Sequence, residues 1–304
     1  MKYGMNNLVL IVGATCVGKT EIAIRLAKHF QSPIISVDSR QFYKELLIGT
    51  AVPSATDLNQ AKHYFVSNLS IFDYYNASQF EQEAIDLISH LHKKHQTVIA
   101  CGGSMLYIDV LCQGMDIIPA IDQLVRTDIF SLYKKEGIDP ICQQLKIHDP
   151  VYYSVVDLKN HKRVIHALEV CLTTGKPYSM FRCGNKKKRP FNIIKIGLFR
   201  EPLDLYKRIN IRIDKMIKNG FLEEAYKVYP YRFLNSLNTI GYKELFRFFD
   251  GEYTLNFAIE KIKQNTRIYS RKQMSWFRKD KKINWIYPSN SGEFIISKLL
   301  RIIP

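Results

Sequence analysis

Eight residues near the start of this 304-residue chain carry the clearest chemistry. Gly13, Ala14, Thr15, Cys16, Val17, Gly18, Lys19 and Thr20 match the pattern G-x-x-x-x-G-K-[ST] in full. The glycines let successive backbone N–H groups turn into one concave nest, and the start of a helix adds a positive dipole end. Lys19 can neutralise phosphate oxygens, and the Thr20 hydroxyl can hold Mg²⁺. A phosphate or diphosphate site follows. The reaction does not, because nucleotide hydrolases and small-molecule kinases use the same loop. No Asn/Thr-Lys-x-Asp guanine-reading motif is present. Asp38 closes the apolar run Ile34–Val37, where it can serve as a Mg²⁺-binding acid or as a base facing a second substrate.

Those residues need a scaffold. Leu8–Val12, Ile34–Val37 and Thr97–Cys101 read as short buried strands, and Glu21–Phe30 and Ala77–Lys94 have helical period, the second with Asn76 as a cap. Strands separated by helices imply a parallel, doubly wound sheet whose ligands sit beyond the strand C-termini. Gly13, Asp38 and Ser104 all fall there. From about residue 113 to 190 helical patterns (Val125–Glu136, Asp139–Gln144, Asn160–Leu172) replace β-rich runs. Ile193–Phe199 restores a strand, Leu203–Asn219 a long helix and Ile283–Tyr287 a closing strand. The expected fold is α/β: a P-loop-containing core over 1–112 and 191–304, a parallel doubly wound sheet flanked by helices, and a helical insertion over 113–190. Asn185–Pro190 reads as a basic, exposed linker, and Met5, Met105 and Met115 as core.

The formal net charge is +16, and its distribution is uneven. Residues 1–110 hold 9 Lys or Arg against 9 Asp or Glu, residues 111–190 hold 13 against 8, and residues 191–304 hold 22 against 11. Charge segregated in this way points to a basic surface facing a polyanion. Ordinary globular composition, 46% hydrophobic and 24% charged, excludes disordered and fibrous classes. No apolar run approaches the roughly 18 residues of a membrane helix. The six cysteines are scattered without a C-x-x-C or zinc spacing, so a reduced, cytoplasmic protein is expected.

Several blocks of the sequence go together. Gly13–Thr20, Ser36-Val-Asp38-Ser39-Arg40-Gln41-Phe42-Tyr43, Gly49-Thr50-Ala51 and Gly102-Gly103-Ser104-Met105-Leu106-Tyr107 resemble tRNA dimethylallyltransferases (the tRNA isopentenyltransferase, or IPP transferase, family). Arg163–Glu169, Thr239–Glu244 and Thr266-Arg267-x-Tyr269-x-Arg271-x-Gln273-x-x-Trp276-Phe277 resemble the family's later blocks, in the family's order. The resemblance implies transfer of a dimethylallyl group from dimethylallyl diphosphate to N6 of adenosine 37, beside the anticodon of tRNA. It reinterprets the loop as a grip on diphosphate leaving group, with Mg²⁺ as cofactor and Thr20 as its ligand. Asp38 becomes the general base, Ser104 a catalytic residue with a hydrogen-bonding hydroxyl and Arg212 a diphosphate contact, with Arg208 one turn away.

For tRNA, the resemblance implies contacts from Asp38, Ser39, Arg40 and Gln41, from Ser104 and Arg126, from Lys162, Arg163, Val164, Ile165 and His166, and from Thr239, Ile240, Gly241, Tyr242, Lys243 and Glu244. Ser104 stands where the family usually has Thr, and His166 where it usually has Arg, which weakens any bidentate phosphate or base contact there. A monomer that binds no membrane is expected. Two rival readings stand beside this one: a P-loop kinase of a nucleotide or small metabolite, and a non-enzymatic RNA-binding module. The intact Gly18-Lys19-Thr20 argues against the second, and the charge outside the loop region against the first.

Overall fold

The computed structural model describes residues 6–184, 186–288, 296–297 and 300–303. Met5 and Asn185 lie outside the described residues. The chain divides into two compact units, one of residues 1–112 and 189–304, the other of residues 113–188.

The larger unit starts with β1 (Asn7–Gly13), α1 (Lys19–His29), β2 (Ile34–Val37), the short α2 (Ala55–Leu58), β3 (His63–Tyr64), α3 (Ala77–Leu91), β4 (Thr97–Gly102) and α4 (Met105–Gln113). Every residue of β1 is buried, as its apolar run requires for a strand covered on both faces. The Asn76 side chain accepts from the backbone of Ser78 and Gln79, and Gln79 returns a bond to Asn76, so a capping box starts α3.

The smaller unit holds α5 (Gln123–Glu136), α6 (Asp139–His148), α7 (Pro150–Tyr153) and α8 (His161–Thr174). These pack around Ile129, Ile141, Leu145, Val164 and Leu168. The larger unit then resumes with β5 (Asn192–Leu198), α9 (Pro202–Lys218), α10 (Phe221–Val228), α11 (Tyr242–Phe249), α12 (Leu255–Phe277) and β6 (Ile283–Ile286). Its six strands lie in the order β3-β2-β4-β1-β5-β6 and every pairing is parallel. The strand order reverses around β1 and β4, so a crevice opens at their C-terminal ends.

Two local expectations need correcting. The basic stretch after residue 185 is not one exposed run. Lys186, Lys187 and Lys188 are exposed, but the Arg189 side chain is 8% exposed and pairs with Glu81 at 2.9 Å. Arg189 also donates to the carbonyls of Val110 and Leu111, so it anchors the start of β5. Its planar fork can satisfy three acceptors at once, which a solvated charge would not need to do. Met105 and Met115 are half-buried and not full core residues.

One glycine fixes where the crevice begins. Gly102 faces Val37 across the β2–β4 pair, and a Cβ there would meet the Val37 carbonyl oxygen at 2.0 Å. Backbone cannot yield as a flexible side chain can. Gly102→Ala is therefore expected to destabilise the fold by about 3 kcal/mol, the upper end for overpacking. The midpoint of urea unfolding checks this.

Candidate active site

The phosphate loop joins β1 to α1. Gly18 takes φ 108° at the start of α1, and Cys16 takes φ 63°, so the loop turns its N–H groups inward. Lys19, in the first turn of α1, folds back over it. Its Nζ donates to Gly13 O at 3.1 Å and to Ala14 O at 2.8 Å. Burial pushes the Lys19 ammonium below its ordinary value, while Cys101 and Asp38 pull it part of the way back. An ammonium deprived of water gains strongly from an arriving anion.

Arginines from the β5–α9 region hold the loop from outside. Arg200 Nε donates to Val17 O at 3.0 Å, and Arg208 Nε to Cys16 O at 2.9 Å. Arg212 Nη1 reaches Thr15 Oγ1 at 3.2 Å and Cys16 Sγ at 3.4 Å. Gln273 of α12, 2% exposed, bridges two loops: its Oε1 accepts from Thr15 N at 2.9 Å and its Nε2 donates to Gly103 O at 2.8 Å.

The second half of the site grows from the ends of β2 and β4. Asp38 follows β2 directly, and its Oδ1 accepts from Arg40 N at 3.1 Å, an Asx turn that orients the carboxylate. Ser104 is buried after β4. Its Oγ accepts from Ser39 N at 2.9 Å and lies 3.1 Å from Ser39 Oγ. Tyr269 shares a side-chain hydrogen bond with Ser104, and burial followed by the Asp38 charge pushes its phenol up to about 12. Gln41 donates from Nε2 to Ala51 O at 2.9 Å and accepts from Ser36 Oγ at 3.2 Å.

Both halves open into one cleft of about 1700 Å³, lined by Lys19, Thr20, Asp38, Gln41, Arg212 and Tyr269 among others. Pockets for small ligands hold roughly 300–1,000 Å³, so the cleft has room for a diphosphate and part of a larger second substrate. Cys101 also lines it, but burial pushes its thiol up to about 11, so it is no nucleophile at neutral pH.

The family model for IPP transferase matches residues 41–280. The chain belongs to the IPP transferase family. It is 70% identical over 299 residues to tRNA dimethylallyltransferase 2 of Azobacteroides pseudotrichonymphae, covering 98% of this chain and 97% of that one. It is 53% identical to tRNA dimethylallyltransferase 1 of Bacteroides fragilis, with 95% and 96% covered. The crystal structure of the tRNA isopentenylpyrophosphate transferase of Bacillus halodurans is similar at a TM-score of 0.69 and 31% identity, covering 97% of each chain. A eukaryotic dimethylallyltransferase acting on tRNA shares the fold at a TM-score of 0.79 and 23% identity, over 98% of this chain and 78% of that one.

The site residues implied by resemblance to the IPP transferase family fall into three groups. Gly18, Lys19, Thr20, Asp38, Ser39, Gln41 and Arg212 meet in the cleft, together with Thr239, Ile240, Gly241 and Lys243. Gly13, Ala14 and Val17 are buried and can offer only backbone.

A second group is committed elsewhere. Arg40 lines the cleft, yet its guanidinium donates to the carbonyls of Asn235, Ser236 and Asn238 at 3.0–3.2 Å. Tyr242 is fully buried, and the Glu244 carboxylate accepts from Gly241 N and Asn265 Nδ2, each at 2.7 Å. These two side chains build the cleft wall and present nothing to it.

The third group lies in the helical unit. Lys162 and Arg163 are exposed, but Val164 and Ile165 are core, as an amphipathic helix with that period demands. Arg126 Nε pairs with Glu169 at 3.0 Å, and His166 Nδ1 lies 3.6 Å from the same carboxylate. Burial alone would raise the Glu169 carboxyl, but hydrogen bonds from His166 and Arg126 outweigh it and hold it below the usual range.

Gln273 was legible only as part of the Arg271-x-Gln273-x-x-Trp276 block, and its bridging role has no local signal. Glu224, which accepts from the Leu47, Ile48 and Gly49 amides, carried none at all.

Proposed function

We propose that this chain transfers a dimethylallyl group from dimethylallyl diphosphate to N6 of adenosine 37 in tRNA, releasing diphosphate. The observation that carries this reading is one cleft with a phosphate nest and Lys19 on one wall and a carboxylate, Asp38, on the other. Asp38 takes the proton from N6 as the nitrogen attacks the allylic carbon. The carbon–oxygen bond breaks as the carbon–nitrogen bond forms, and negative charge builds on the departing diphosphate. The loop N–H groups, Lys19 and Arg212 stand where that charge develops. Ser104 holds Ser39 through its backbone N–H, which fixes the turn that carries Asp38.

Mg²⁺ fits this donor set as a partner of the substrate's own phosphates. Thr20 offers one hydroxyl, and among the described residues no group of three His, Cys, Asp or Glu side chains is gathered. When bound there, the ion would neutralise diphosphate oxygens. Incubating the protein with tRNA, Mg²⁺ and labelled dimethylallyl diphosphate tests the reading. Label is expected in the RNA, and none is expected from γ-labelled ATP. Label from ATP alone would make the protein a kinase. Cysteines that are all unpaired support a cytoplasmic setting, and we read the working form as a monomer. No described helix is long and apolar enough to cross a membrane.

The helical unit supplies tRNA affinity in this reading, through the exposed Lys162 and Arg163. Arg126 is a poor probe, because its loss would leave the buried Glu169 carboxylate with His166 as its remaining ion-pair partner and disturb the helical core. Lys162→Ala with Arg163→Ala is therefore expected to weaken tRNA binding and to lower the salt slope by up to about 2, with diphosphate binding unchanged. Binding isotherms across a salt titration check this, and an unchanged slope would move the phosphate contacts to α12.

A further inference from the structure

The geometry points to Glu224 as a positioning residue for the acceptor side of the cleft. Glu224 lies on α10, far in sequence from the loop it holds. Its Oε2 accepts from Leu47 N at 2.9 Å and from Ile48 N at 2.8 Å, and its Oε1 from Gly49 N at 2.8 Å. The Tyr242 hydroxyl adds a fourth bond, to Oε1, at 2.6 Å. Three successive N–H groups turned to one point make a nest of the kind that binds anions. Here the anion is the chain's own carboxylate, so this nest is closed to phosphate.

The packing makes the contact a latch. A Cβ on Gly49 would meet Phe221 at 2.3 Å and Tyr242 at 2.5 Å, so the loop lies hard against α10 and α11. Ala51 takes φ 50°, a left-handed conformation that a non-glycine residue holds only when its surroundings impose it. The same loop then presents Thr50 O and Ala51 O to Gln41 Nε2, at 3.4 and 2.9 Å. Gln41 N in turn donates to Asp38 O at 3.2 Å. The route from Glu224 therefore runs through loop 47–51 to the Gln41 amide beside Asp38. None of these hydrogen bonds involves Lys19, Arg212 or the phosphate loop. Glu224 should set tRNA use and leave diphosphate binding alone, an assignment that rests on tRNA being the acceptor.

Glu224→Gln, in the full chain, is the test. The amide keeps one acceptor oxygen and turns an NH₂ toward N–H donors. Faster deuterium exchange is expected at the Leu47, Ile48 and Gly49 amides. A fall of about tenfold or more in kcat/KM for tRNA is expected too, with the Kd for inorganic diphosphate changed less than about twofold. Unchanged exchange overturns the latch. Faster exchange with unaltered tRNA kinetics, or with an equal loss of diphosphate affinity, overturns its link to the acceptor. Amide exchange needs no substrate, so a wild-type protein inert toward tRNA would count against the proposed function and not against the latch. If Glu224→Gln does not fold, Tyr242→Phe removes one donor and keeps the ring. The same changes are then expected in smaller measure, and their absence overturns the proposal.

Discussion

Asp38→Asn keeps tRNA and diphosphate binding near normal and lowers the single-turnover rate by about a hundredfold or more. The amide is isosteric with the carboxylate and can still accept from Arg40 N, the bond that sets the Asx turn. It cannot take a proton from N6. The loss should therefore appear in the chemical step measured with both substrates bound. Quench-flow with labelled dimethylallyl diphosphate and saturating tRNA checks it. Should binding collapse while the bound complex reacts normally, Asp38 positions the adenine and another group is the base.

Lys19→Ala and Arg212→Ala are expected to cost about 3 kcal/mol each in transition-state stabilisation, as removal of a preorganised oxyanion donor does. The two variants should differ in origin. Lys19 lies over the loop and bonds its carbonyls, so its loss also loosens the nest. Arg212 hydrogen-bonds the Thr15 and Cys16 side chains of the loop, so its loss is expected to leave the loop backbone in place. Full activity in either variant at saturating donor would remove that residue from the site. A pH titration gives an independent check on Lys19. Its pKa lies below the ordinary lysine value because burial disfavours the ammonium. Diphosphate needs the protonated form, so affinity falls as pH rises through the lowered pKa. Lys19→Ala should abolish that alkaline limb, which isothermal titration of diphosphate against pH would read.

Much of the larger unit was legible in the sequence because its signals are local. The apolar runs Leu8–Val12 and Ile34–Val37 became β1 and β2, Asn76 caps α3, and the G-x-x-x-x-G-K-[ST] spacing alone demanded a strand, a nest and a helix in that order. The family blocks then supplied Asp38, Ser104 and Arg212, which no periodicity could single out. Where blocks were carried over whole, residues of opposite fate came together. Val164 and Ile165 share a stretch with Lys162 and Arg163, and Tyr242 and Glu244 share one with Lys243, yet only the turn of the helix decides which side chains face outward.

By itself, the sequence determined the glycine-rich loop between a strand and a helix and the succession of strands and helices that builds the α/β core, since each depends on residues a few positions apart. The tertiary structure decided what Gln273, Arg40, Arg189 and Glu224 do. Their partners lie 258, 195, 108 and 177 positions away, and long polar side chains are free to satisfy any carbonyl, amide or charge that folding brings near. Buried polar groups must find partners, and which partners they find is set by topology, which no local pattern of residues encodes.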